Sequence, residues 1–142
     1  MFILDIYKFS YARNFPDATI EAYNLLNLLK INGLLSLIDT IWLDLEVFAD
    51  REHTSLECSY IIGAYKGICA DYNKPFGIYC SYNYIRNILP KWAAGERIWM
   101  AKWSDNFGEL GDFKNSVELW QYTNRGVVEG IIGNVDISRR PT

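Results

Sequence analysis

Histidine occurs once in the 142 residues, at His53, and cysteine three times, at Cys58, Cys69 and Cys80. A single histidine leaves no His-rich metal site and weakens any relay that needs an imidazole base. Three thiols, odd in number and without paired metal-type spacing, compose neither a disulfide framework nor a zinc site. Cys58 and Cys69 fall three helical turns apart and read as core thiols. The chain also lacks a basic block: 14 Lys and Arg stand against 17 Asp and Glu, for a net charge of −3. A nucleic-acid partner therefore has no electrostatic footing. No window approaches a membrane span, and the start, "MFILDIYKFS", carries an acid at position 5 with no basic region before its apolar run. It does not read as a signal peptide. Linkers, low-complexity stretches and internal repeats are missing too, so residues 1–142 read as a single domain with one core.

What the chain does have is aromatic side chains, 15% of residues, with five Trp and ten Tyr. Such faces fill cores, and they also stack on sugar rings.

The periodicity alternates in type along the chain. Met1 to Phe9 predicts a strand. Pro16 opens a helical pattern through Ala18, Ala22, Leu25, Leu26 and Leu29, which Lys30 and Asn32-Gly33 close. "TIWLDLE" (residues 40–46) predicts a strand. A second helix is expected from about Thr54 to Asp71, with Leu56, Tyr60, Ile61, Ala64 and Ile68 on one face. "PFGIYC" predicts a short buried strand, and "YNYIRNIL" a short helix ended by Pro90. "RIWMAKW" and "VELWQYT" predict strands, and "GVVEGIIGNVDIS" a hairpin-like return into a last one. Strand and helix in alternation predict a parallel sheet with crossover helices, either an irregular α/β barrel or an open α/β sheet.

The stretch "TIWLDLEVF" sets Asp44 and Glu46 inside an apolar run, where a lone carboxylate is costly to desolvate. Residues two apart in a strand share a face, roughly 6.6 Å apart. Ile41, Leu43 and Leu45 then offer one face to the helices, while Trp42, Asp44 and Glu46 look the other way, the acids at the strand's C-terminal end. In a barrel this is where active sites collect. Two carboxylates so close push their pKa values apart, leaving one protonated and one ionised. That suits glycoside cleavage, which needs a proton donor and an anion. The same pattern equally fits a strand end whose acids reach water or cap the next helix. Asp136, in "GNVDIS", is a third acid between apolar neighbours.

These segments, taken in order, resemble glycoside hydrolase family 25, the Chalaropsis-type lysozymes or N-acetylmuramidases found in phage endolysins and bacteria. "YKFSYARN" followed by "EAYNLL" resembles the family's Tyr-x-x-x-x-Ala stretch and following helix, and "IWLDLE" its Asp-x-Glu strand. "GIYCSYNYI" resembles its Ile-Tyr strand, "IWMAKW" its Trp-x-Ala-x-aromatic strand, and "LWQYTNRGVVEGIIGNVDIS" its Trp-Gln-Tyr…Gly…Val-Asp ending. Asp-x-Glu alone is a weak signal; the ordered set is specific. The resemblance implies an irregular (β/α) barrel and a muramidase that cuts the β-1,4 bond between N-acetylmuramic acid and N-acetylglucosamine in peptidoglycan, without a cofactor or metal. It implies Glu46 as the catalytic acid, Asp44 as its partner carboxylate and Asp136 as the late active-site aspartate, with the substrate's acetamido group as nucleophile. It also implies Tyr79, Trp99, Trp103, Tyr11 and Gln121 as substrate contacts.

Family members have strands, one carrying a further aspartate, upstream of the segment that opens this chain. The chain therefore looks like a family domain lacking its N-terminal strands, with an exposed sheet edge. Such an edge calls for a partner chain or a second copy to cover it, or else leaves a remnant that binds cell-wall glycan without turnover. Lacking a signal, the protein is expected to be made in the cytoplasm and to reach the wall on release, as phage lysins do, or to act extracellularly. A divalent-cation enzyme built on the same acids is disfavoured, because the ordered aromatic motifs would then be coincidence.

Overall fold

The computed structural model describes residues 3–141. Six strands form one sheet in simple sequence order: β1 (Leu4–Phe9), β2 (Ile38–Leu45), β3 (Phe76–Ser81), β4 (Ile98–Ala101), β5 (Leu119–Gly126) and β6 (Val135–Arg139). β1 to β5 run parallel, and β6 returns antiparallel to β5 through register shifts. The strand expected from Met1 is observed from Leu4, and its first two residues lie outside those described.

Helices α1 (Phe15–Ile31) and α2 (Ser55–Asp71) make the first two crossovers. Each has a clear local cause. The Asn14 side chain accepts from the Asp17 amide at 2.9 Å while Pro16 sits in the first turn, satisfying an orphan donor without losing one. Asn32 ends α1, and Gly33 follows with φ of +69°. At α2 the Thr54 hydroxyl takes the Glu57 amide at 3.1 Å and the Glu57 carboxylate takes the Thr54 amide at 2.7 Å, a reciprocal cap. Later crossovers are short: a wide helical turn at Tyr84–Ile88, a 3-10 turn at Lys91–Gly95, and a kinked 3-10 stretch at Phe107–Asn115.

The core lies between the sheet and the helices. Ile41, Leu43 and Leu45 of β2 are fully buried there with Ala18, Ala22 and Leu26 of α1. The buried stripe of α2 is Cys58, Ile61, Ile62, Ala64, Tyr65 and Cys69. This corrects the expected face in part: Leu56 and Tyr60 are exposed, because the stripe follows the two cysteines around the helix. The cysteines are free core thiols, and burial pushes Cys58 and Cys69 up to about 12, which keeps them protonated.

The sheet is an open, curled wall of barrel type. In a flat sheet, β1 and β4 would lie about 14 Å apart. Yet the rings of Tyr7 and Trp99 meet edge to face at 6.5 Å, and those of Trp42 and Trp99 at 5.8 Å. The concave side is therefore lined by Tyr7, Trp42, Tyr79 and Trp99, opposite the helix-covered side.

Candidate active site

Curling brings the two ends of the sheet to one hollow. A cleft of about 440 Å³ is lined by Tyr7 of β1, Asp44 and Glu46 at the end of β2, Tyr79 of β3, Trp99 of β4, Gln121 of β5, and Asp136 and Ser138 of β6. Its volume lies within the range of about 300–1,000 Å³ usual for small-molecule sites. All three acids singled out in the sequence line this cleft. The parallel register explains how: Asp44 pairs with Tyr79, and Tyr79 with Trp99, so their side chains form one row across three strands. Glu46 lies two residues further along β2's direction, towards the strand ends. Asp136 and Ser138, two apart on β6, share its cleft-facing side.

The acids differ in setting. Asp44 is buried, and its Oδ1 has no hydrogen-bond partner. Burial, and then the charge of Glu46, push its carboxyl up to about 7, with Lys8 opposing. Glu46 is half-buried, and burial followed by the charge of Asp136 raises it as well. Both partners are thus raised, instead of one alone, because burial disfavours the charge on each, with Glu46 adding to it at Asp44 and Asp136 adding to it at Glu46. The cleft holds fewer than three charges near neutrality.

The aromatic groups are braced. Trp99 Nε1 donates to Ser138 Oγ at 3.0 Å, tying β4 to β6. Tyr79 donates its hydroxyl proton to Gln121 Oε1 at 3.0 Å, and burial raises its own pKa. Trp103, beyond the end of β4, donates to the same oxygen at 3.3 Å, but its ring is 63% exposed and stands at the rim, not in the lining. Tyr11 is placed elsewhere, on an outer cluster with Phe9 and Phe48. Asp5 is also apart: it accepts from the Thr40 amide and from Trp42 Nε1, each at 3.1 Å. Tyr7 and Ser138 were not singled out in the sequence. Both sit two residues from an acid on the same strand face (Asp5 and Asp136), and that alternation was the available signal.

The loop after Glu46 is pinned from β1's far end. Arg13 donates to the carbonyls of Phe48 at 2.9 Å and of Arg51 and Glu52 at 3.3 Å each. These bonds hold a tight turn in which Ala49 and Asp50 both have positive φ.

Comparison with known proteins bears on what this arrangement does. Residues 2–131 match the model of glycosyl hydrolases family 25. Asp136 and Ser138 lie just beyond the matched stretch. Among solved structures, the fold is similar to the CTP1L endolysin, whose activity is regulated by a secondary translation product, with a TM-score of 0.71 and 26% identity. The match covers 97% of this chain and 46% of that one, so the chain spans about half the endolysin's length. No curated protein sequence matches the chain.

Proposed function

The chain belongs to glycosyl hydrolases family 25, and on that premise we propose that it hydrolyses peptidoglycan glycan strands as a lysozyme, cutting the β-1,4 bond between N-acetylmuramic acid and N-acetylglucosamine. The reading treats the described strands and helices as one catalytic-domain unit. The observation that carries it is the convergence of Asp44, Glu46 and Asp136 in one cleft beside the Tyr79 and Trp99 rings.

Glu46 is the proton donor of this scheme. It is less buried than Asp44, lies at the strand end, and is raised by burial and then by the charge of Asp136, which suits an acid that must hold its proton until substrate arrives. As the bond from the anomeric carbon to the leaving oxygen breaks, Glu46 gives that oxygen its proton. The acetamido carbonyl oxygen of the same sugar closes on the anomeric carbon from the other face. Asp44 and Asp136 orient and polarise the acetamido group. Water then opens the cyclic intermediate, returning a proton to Glu46, and configuration is retained. This substrate-assisted route is a recognised departure from direct carboxylate displacement. Trp99 and Tyr79 offer the sugar rings an apolar wall. The proposed site of action is the cell wall, as for an endolysin.

The test is clearing of purified peptidoglycan followed by identification of the new reducing ends. Reducing N-acetylmuramic acid supports the reading, and reducing N-acetylglucosamine overturns it. A second reading, glycan binding without turnover, is favoured by one observation: among the described residues β1 pairs only with β2, and Tyr7 is 66% exposed, so the cleft is open on that side. No clearing, with retention on insoluble peptidoglycan, would establish it.

A further inference from the structure

His53 is the chain's one histidine, and it lies buried where three strand exits meet. It ends the loop that leaves β2 after Glu46, one residue before the Thr54 cap of α2. Ala12 and Arg13, after β1, and Tyr84, in the wide turn after β3, face it. Asn83 ties the same loop to that turn, donating to the Glu52 carboxylate at 3.2 Å.

The surroundings of the ring suit only its neutral form. The His53 amide donates to the Tyr84 hydroxyl oxygen at 3.4 Å, and that oxygen stands 3.2 Å from Nδ1. The hydroxyl is therefore free to turn its one proton to Nδ1, which leaves the ring's own proton on Nε2. Nε2 is buried and has no hydrogen-bond partner among the described residues; the Ala12 carbonyl faces the ring without bonding to it. A doubly protonated ring would have to reverse the Tyr84 bond. It would still leave an N–H unmet, with a full positive charge in a buried place. The charged and titratable groups around the His53–Tyr84 pair are Arg13 after β1, Arg51 and Glu52 of the loop, and Glu57 and Cys58 of α2. Burial first and then Arg13 hold the imidazole below its ordinary 6.5, and Arg51 adds to this, while Glu57 and the Ala12 carbonyl oppose. Glu57 is itself engaged by Arg51 at 2.7 Å and Arg13 at 3.8 Å, so it is no free counter-ion.

We infer that neutral His53 is a positioning residue: it seats the segment that follows Glu46 against the exits of β1 and β3, and proton uptake by its ring unseats that segment. As a determinant of turnover this rests on the hydrolase reading; as a property of the loop it does not. An opened loop exposes the ring and restores its ordinary affinity for a proton. Opening therefore grows as pH falls below 6.5, by up to about tenfold per pH unit, until the closed form also takes up the proton.

The lone imidazole is followed by ¹⁵N NMR of histidine-labelled protein, whose ring shifts report both midpoint and tautomer. The expected result is a midpoint below 6.5 with the proton on Nε2; a midpoint at or above 6.5 overturns the inference. Cleavage within residues 47–54 by an added protease is timed from pH 8 to pH 5, each rate divided by that on a denatured substrate. The parent's rate should climb at least about fivefold on the acid side. In His53→Asn, which keeps a polar atom where Nδ1 stands, it should hardly vary with pH. A merely loosened variant is nicked faster at every pH, so the slope decides and not the level. A flat parent profile, or an equal slope in His53→Asn, overturns the inference. Clearing of peptidoglycan by the parent, relative to that by His53→Asn, should fall across the same range, and a constant ratio overturns the role in turnover. No clearing by either protein, with the slopes as expected, would sink the hydrolase reading and keep the latch; clearing with flat slopes would do the reverse.

Discussion

Gly77 and Trp42 face each other across adjacent strands, and the indole fills the space a side chain at 77 would need. A Cβ on Gly77 would lie 2.4 Å from the Trp42 ring. The contact lets Trp42 lie flat enough to meet Trp99, one of the lining groups of the cleft. Gly77→Ala is expected to cost about 1–3 kcal/mol through overpacking, read as a lower urea midpoint. Combining it with Trp42→Leu should recover most of the loss. An unchanged midpoint in the single variant would show that the ring is free to move aside.

Glu46→Gln should lower clearing by at least about 100-fold while leaving the thermal midpoint near that of the parent. Glu46 is half-buried and accepts no hydrogen bond within the described residues, so its removal has little to destabilise. A variant clearing at a quarter of the parent rate would exclude Glu46 as the proton donor.

Asp44 gives a prediction with a definite pH sign. Its folded-state carboxyl, at about 7, lies above the ordinary 3.8. Between these values the folded protein binds more protons than the unfolded chain, so stability falls as pH rises through the window. The full penalty, as much as about 4 kcal/mol, is present above pH 7 and absent below 4. Asp44→Asn is therefore expected to be the more stable protein at pH 8 and no more stable at pH 3.5, while losing activity at both. Thermal midpoints across pH decide it; a gap that does not change with pH would mean that Asp44 titrates alike in the folded and unfolded chain.

Arg13→Ala should loosen the turn after Glu46. Its guanidinium serves three loop carbonyls, and such charged hydrogen bonds contribute about 1–3 kcal/mol together with the cost of leaving the carbonyls unmet. The expected signature is proteolytic nicking within residues 47–54 and a fall in kcat larger than any change in KM. Faster nicking with unaltered kcat would separate the turn from the placement of Glu46.

Much of this site could be read from residue order. The alternation in "TIWLDLE" divided core from cleft correctly, since a two-residue period leaves only two faces and the apolar set marks one. Asp136 was reachable for the same reason. The stripe of α2 was partly misjudged because Leu56 and Tyr60 are apolar enough to be buried yet sit nearly half a turn from the cysteines that are. Trp103 shares the alternation of Trp99, but the strand stops at Ala101, and beyond a strand end parity no longer fixes direction. Tyr11 likewise stands outside the cleft lining, two residues past the end of β1. The curl that lets Tyr7 touch Trp99 is carried by no local pattern at all; it is a property of six strands twisting together.

The final strand runs against its neighbour and, among the described residues, is held to the sheet on one side only, by β5. It nonetheless supplies the negative charge that adds to burial in raising the Glu46 carboxyl, and the hydroxyl that steadies Trp99. Whatever lifts this hairpin withdraws both at once: the glutamic acid would give up its proton more readily to water and the indole would swing loose. The chemical temper of one margin of the molecule is thus set by how firmly the opposite margin is seated.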